Sequence, residues 1–273
     1  MINLNIYLKE LKQNRNSFIA WSVSLAALIM LGMLFYPILM HGDMLRQMTV
    51  LFENPFMKSM MSAFGASLDT LTSPMGFYST RNAVFISLLG GFFAILLAGK
   101  IVAQEEHEGT ADFLLTKPVS RMEVALSKLA VFLTYLVGLN IIVLIFGFLS
   151  LELFRGDAGY SLSAFLIHSL YGFLLMLTFG AAGFFLALLI KRGRPITGIS
   201  IGIIVGSYFF DVLSKITPSA DAIGYISPFK FLDSGVLNPN YGLTWWRVLY
   251  FLGLSLILYT AALVRFRKKD IFV

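Results

Sequence analysis

The stretch QEEHEGTADFLLTKPVSRMEVALSK, Gln104–Lys128, is the longest strongly polar interruption between two apolar runs. Ala83–Val102 precedes it and Val124–Leu151 follows, each apolar enough to cross a bilayer, which takes about 20 residues as a helix. Gln104–Met122 therefore reads as a loop between two membrane helices. Glu105, Glu106 and Glu108 surround His107 and carry the preceding helix into water. Gly109 frees the backbone to turn. Thr110 suits the cap of a short new helix, and Asp112 in its first turn suits the positive end of the helix dipole. That helix presents Phe113, Leu114 and Leu115, and it must stop before Pro118, because a residue preceding proline is pushed out of helical geometry. Ser120 and Glu123 have the spacing of a capping box that starts the next helix. The expected product is a short helix across the membrane surface with an apolar nose, which a soluble partner can grip. A capped interfacial turn with no partner is the other reading of these residues.

Outward from this loop, composition sets the class. The chain has 273 residues, 58% hydrophobic and 13% charged, against roughly a quarter charged in soluble domains. With its long uncharged runs, this is the composition of a helical membrane protein. There is no cysteine, so disulfide and thiol chemistry are excluded. The net charge of +6 sits beside apolar spans, where it orients a membrane protein rather than binding nucleic acid. The expected fold is all-α and integral to the membrane, one transmembrane domain over 1–273. Its six transmembrane helices fall at about 17–40, 83–102, 124–151, 161–190, 196–216 and 245–264, with the polar loop at 104–122.

Met1–Asn16 places Leu4, Leu8 and Leu11 on one helical face and Lys9, Lys12 and Arg15 elsewhere, which predicts a separate N-terminal interfacial helix. His41–Asn82 predicts one or two helices at the outer surface. Its methionines Met44, Met48, Met57, Met60 and Met61 read as an apolar packing face rather than a soft-metal site, since only His41 lies nearby. Asn140, inside the third span, needs a helix partner or a wet cavity, and Asp211 sits near the outer end of the fifth. Both are candidate path-lining residues, and Asp211 has Lys215 one turn away as a partner. Gly198, Gly202 and Gly206 bare the backbone along one face of the fifth span, for packing within the chain or against another subunit.

Placing both termini and the loops at 104–122 and 191–195 inside puts fourteen of the 21 lysines and arginines, Lys100 and Lys128 included, on the cytoplasmic side, as the positive-inside rule requires. No G-x-x-x-x-G-K-[ST] phosphate-binding loop occurs: near Gly99-Lys100, Ala94 replaces the first glycine and Ile101 the hydroxyl residue. No H-E-x-x-H occurs, and His41, His107 and His168 are scattered, so no metal site and no catalytic set is expected.

The run EEHEGTADFLLTKPVSR, followed by Lys128, resembles the first cytoplasmic loop of ABC type-2 export permeases. Glu105, Gly109, Thr110, Leu114, Leu115, Pro118, Val119, Ser120 and Arg121 match the family pattern, while Ala111 departs from it, a larger apolar residue being more usual there. The resemblance implies that this loop is a coupling helix, with Glu105, Glu108, Gly109, Thr110, Asp112, Phe113, Leu114, Leu115, Pro118, Ser120 and Arg121 coupling to an ATPase. It further implies two separate ABC ATPase subunits that bind ATP and magnesium, no cofactor on this chain, and a second permease copy or homologue. It also implies export across the cytoplasmic membrane of a prokaryote. Two other readings stand beside it. A stand-alone ion-coupled carrier would need ionisable groups at mid-membrane, and a membrane-embedded enzyme would need a catalytic constellation.

Overall fold

The computed structural model describes residues 2–40, 43–108, 120–190, 196–216, 218–232 and 235–268. Six helices among them are long and apolar enough to cross a membrane: Leu4–Met40, Pro74–Gln104, Arg121–Phe154, Leu162–Leu189, Ile196–Ile216 and Trp245–Arg267. They are called the first to the sixth helix below. Among the described residues there is no strand. The helices alternate in direction. One end of the bundle, the loop end, carries the 104–122 connection and the junction of the fourth and fifth helices. The far end carries the short helices Asp43–Glu53, Pro55–Ala63 and Leu68–Thr72, and the short turns Pro218–Ala220, Asp221–Gly224 and Pro228–Phe231 between the fifth and sixth helices.

The second and fourth helices form the centre and make the most extensive contact in the bundle. Of the most apolar stretch of each, 61% is buried, against 22% for the fifth helix and 28–33% for the other three. The peripheral helices keep Leu31, Ile141, Val205 and Leu256 exposed. Apolar side chains inside and outside suit a solvent of lipid chains, which removes the hydrophobic drive for helices to associate and leaves close packing to hold them. Glycine provides that closeness in the fourth helix. A Cβ on Gly183 would lie 2.3 Å from the Ile95 carbonyl oxygen of the second helix, and one on Gly180 would lie 2.1 Å from the Phe132 ring of the third. The fourth helix also holds the sixth, through a buried bond of 3.0 Å between the Thr178 and Ser255 hydroxyls and through Phe184 against Tyr259.

Three elements differ from the sequence expectation, the first being the outer connection, which holds the three short helices Asp43–Glu53, Pro55–Ala63 and Leu68–Thr72 where one or two were expected. The N-terminal segment is no separate helix, because Leu4–Met40 is one uninterrupted run of 37 residues that continues through Pro37. Within it Leu4 and Leu8 are exposed, whereas Ile6, Glu10 and Asn14 are buried. The polar face turns inward because the third helix offers it polar partners: Ser127 Oγ accepts from the Asn3 amide at 2.8 Å, and Tyr135 donates to the Leu11 carbonyl. The second helical run begins at Pro74 rather than Ala83. Ser73 caps it by accepting from the Gly76 amide, and Pro74 occupies the first turn, where its missing N–H goes unneeded. A π turn at Tyr78–Asn82 joins this start to Ala83–Glu108 without ending the run. The capping box at Ser120 is present: Ser120 Oγ accepts from the Glu123 amide at 3.2 Å and the Glu123 carboxylate from the Ser120 amide at 2.9 Å. It satisfies two of the donors that a helix start leaves open.

Candidate functional site

Two polar clusters stand out in an otherwise apolar bundle. At the loop end, Lys128 lies two turns into the third helix and is almost wholly buried. Its Nζ sits 3.3 Å from Glu10 Oε1, and the two side chains are 1% and 2% exposed. The same ammonium donates to the carbonyl of Ile101 in the second helix, and Asn14 donates to the Glu10 carboxylate at 3.4 Å. A buried charge is costly unless it is paired and hydrogen-bonded, and here each charge has both. The cluster therefore fastens the first, second and third helices together, with Ile101 and Lys128 at the two roots of the 104–122 loop.

Of the residues expected to act in that loop, Glu105 and Glu108 fall in the last turns of the helix Ala83–Glu108. Ser120 and Arg121 begin the third helix. Gly109, Thr110, Asp112, Phe113, Leu114, Leu115 and Pro118 lie outside the described residues. Glu10, Asn14 and Lys128 were not among the expected site residues. The signal for them was available: Lys128 is a charge inside an apolar span, and Glu10 is the only carboxylate before Asp43.

At the far end, Asp211 of the fifth helix is buried and its Oδ2 accepts from Lys215 Nζ at 2.7 Å, one turn away. The Lys215 side chain is 43% exposed and that of Asp211 is 4% exposed. Asp211, Lys215, His168, Ser79, Ser87 and Tyr208 contribute to the lining of a cavity of about 70 Å³. Asn140 is elsewhere. It lines a smaller hollow of about 20 Å³ between the second, third and fourth helices, which it shares with Tyr78, His168 and Met176. Asp211 and Asn140 thus border separate spaces, and Ser87 and His168 line both. Among the described residues no group of three histidines or carboxylates is placed to hold a metal.

Among the described residues Gly198, Gly202 and Gly206 form no packing surface. A Cβ on any of them would meet nothing within 4 Å. Ile199, Ile201, Val205 and Phe209 of the same helix are exposed as well. Close glycine packing occurs elsewhere, among others at Gly90 of the second helix, Gly147 of the third, and Gly180 and Gly183 of the fourth.

A bundle of six helices, each long and apolar enough to cross a membrane, is the build of a multi-pass membrane protein. Comparison with family models gives the class directly: residues 4–271 match that of the ABC-2 family transporter proteins. The chain belongs to the ABC-2 transporter family. No curated protein matches it.

Proposed function

We propose that this chain is the membrane-spanning permease subunit of an ATP-driven ABC exporter. Two separate ATPase subunits hydrolyse the nucleotide, and a second permease copy or a homologue completes the pathway. The chain lies in the cytoplasmic membrane of a prokaryote with both termini inside, so the loop end faces the cytoplasm and the far end the exterior. The observation that carries this reading is the family match over nearly the whole chain, joined to a loop with the coupling pattern. The anchoring of that loop supports it further. Its two roots are tied to each other and to the first helix by Lys128. A push on the loop then moves three helices together instead of bending one. The open glycine face of the fifth helix supports the second copy, since bare backbone exposed along one helical face lets another helix approach closely.

The ATPase site is on the partner, since the chain lacks a phosphate-binding loop. In this reading Phe113–Leu115 seat in a groove of the ATPase and Glu105 positions the loop. Burying one such side chain is worth about 1.5–3 kcal/mol, so replacing it by a charge should weaken ATPase binding roughly ten- to a hundredfold. The test is Leu114→Asp in the reconstituted complex, followed by ATPase binding, ATP turnover and substrate efflux. Weakened binding with normal membrane insertion is expected. Wild-type binding and efflux would falsify the coupling role.

A further inference from the structure

The far-end cavity has a chemistry that its lining states plainly. Ser79 and Thr80 belong to the π turn that opens the second helical run, and both line the cavity. The Ser79 hydroxyl donates to the Gly76 carbonyl at 3.0 Å, and the Thr80 hydroxyl donates to the same oxygen at 2.9 Å. A hydroxyl has one proton and two lone pairs. With both protons engaged, these two side chains can offer the cavity only acceptors. Asp211 adds another. Its Oδ2 holds Lys215, but its buried Oδ1 has no hydrogen-bond partner among the described residues. An unsatisfied buried carboxylate oxygen is costly, and a positive donor satisfies it best.

Size and walls narrow the choice. A water needs roughly 10–15 Å³ by this measure, so the space of about 70 Å³ takes a group of about five non-hydrogen atoms. Val84, Val212 and Phe229 supply apolar wall, which suits carbon beside the charge better than a bare ion. One primary ammonium already rests on this carboxylate: Lys215 is on Oδ2, with its own side chain 43% exposed and free to withdraw into water.

We propose that this cavity binds a primary ammonium group, carried by a small amine or by the amino head of a larger molecule. The proposal deepens the permease reading, on which it rests, by giving the substrate class. Lys215 occupies the carboxylate when the site is empty and yields when the ligand enters.

The experiment uses the purified chain in phosphatidylcholine nanodiscs, with no ATPase present. Its thermal unfolding is followed against ethanolammonium chloride, choline chloride and sodium chloride at constant ionic strength. Choline has the charge but no N–H donor. Saturable stabilisation by ethanolammonium alone is expected, lost in Asp211→Asn and in Val84→Phe, which fills the cavity and leaves the carboxylate intact. Lys215→Gln removes the resident competitor and should tighten the apparent affinity about tenfold, the size of one charge-assisted hydrogen bond. Nanodiscs containing phosphatidylethanolamine separate a lipid source from a soluble one, because a lipid occupant stabilises the wild type and neither cavity variant. Should Asp211→Asn not fold, Val84→Phe and Lys215→Gln carry the test. An equal response to sodium or choline, a response that survives cavity filling, or no response to either amine source overturns the assignment. Loss of the amine response leaves the ATPase-coupling result untouched, so the two readings fail separately.

Discussion

The bundle holds a carboxylate–lysine pair at each end, and the two pairs are built differently. Glu10 and Lys128 are 118 residues apart in sequence and come from different helices, and neither side chain is more than 2% exposed. Asp211 and Lys215 are one turn apart on one helix, and the lysine is nearly half exposed. The first pair holds helices in place and has no exit to water. The second holds only itself, leaves one oxygen without a partner among the described residues and borders open space. A charge pair thus acts as a fastening where it joins helices, whereas a pair within one helix fastens nothing, and the one at Asp211 stands beside a cavity.

The largest expected effect comes from breaking the fastening. Lys128→Met leaves the Glu10 carboxylate buried without its cation, which should cost about 3–5 kcal/mol of stability. Denaturant unfolding of the purified protein in detergent reads it, and a loss below about 1 kcal/mol would mean that water reaches the pair. The second effect sharpens the first. Glu10→Met together with Lys128→Met removes both charges at once, and buried pairs replaced by apolar residues are often neutral or better. The double variant should regain most of the loss, and a strictly additive result would show that the two residues do not act as a pair. The smallest effect lies at the far end. Lys215→Gln should cost about 1–3 kcal/mol, because the buried Asp211 carboxylate loses its cation, while the glutamine amide or water can take the place of the exposed lysine. A cost matching that of Lys128→Met would erase the distinction between the two ends.

What could be read from the sequence was local. The box at Ser120 and Glu123 and the pair Asp211–Lys215 depend on residues three and four apart, and both are present as bonds. The six apolar helices follow from run length and composition. What could not be read depends on which helix faces which. Glu10 finds Lys128 only once the first and third helices are side by side. A face of glycine spacing says that something can come close but not what does. The fifth helix has the more regular spacing, yet close approach is made, among others, by Gly180 and Gly183 of the fourth, which a central helix requires. The coupling residues between Gly109 and Pro118 stay a matter of pattern, since they fall outside the described residues. The start of the second helical run at Pro74 was hidden by Ser79, Thr80, Arg81 and Asn82. They look too polar for a span, but a π turn and hydroxyl bonds to the backbone carry the helix through them.

The unbroken first helix has a consequence for how this chain can change. At about 1.5 Å per residue, its 37 residues make a rod of about 55 Å. Near one end Glu10 meets Lys128, and near the other the Tyr36 hydroxyl donates to the Thr72 carbonyl at 2.9 Å. Both appointments are kept by one screw. One residue added or removed between them turns one contact about 100° relative to the other and slides it about 1.5 Å. Substitutions along the lipid-facing side of this rod leave that phase alone, whereas a change of length does not. The segment between Asn14 and Tyr36 can therefore vary in letters far more freely than in number.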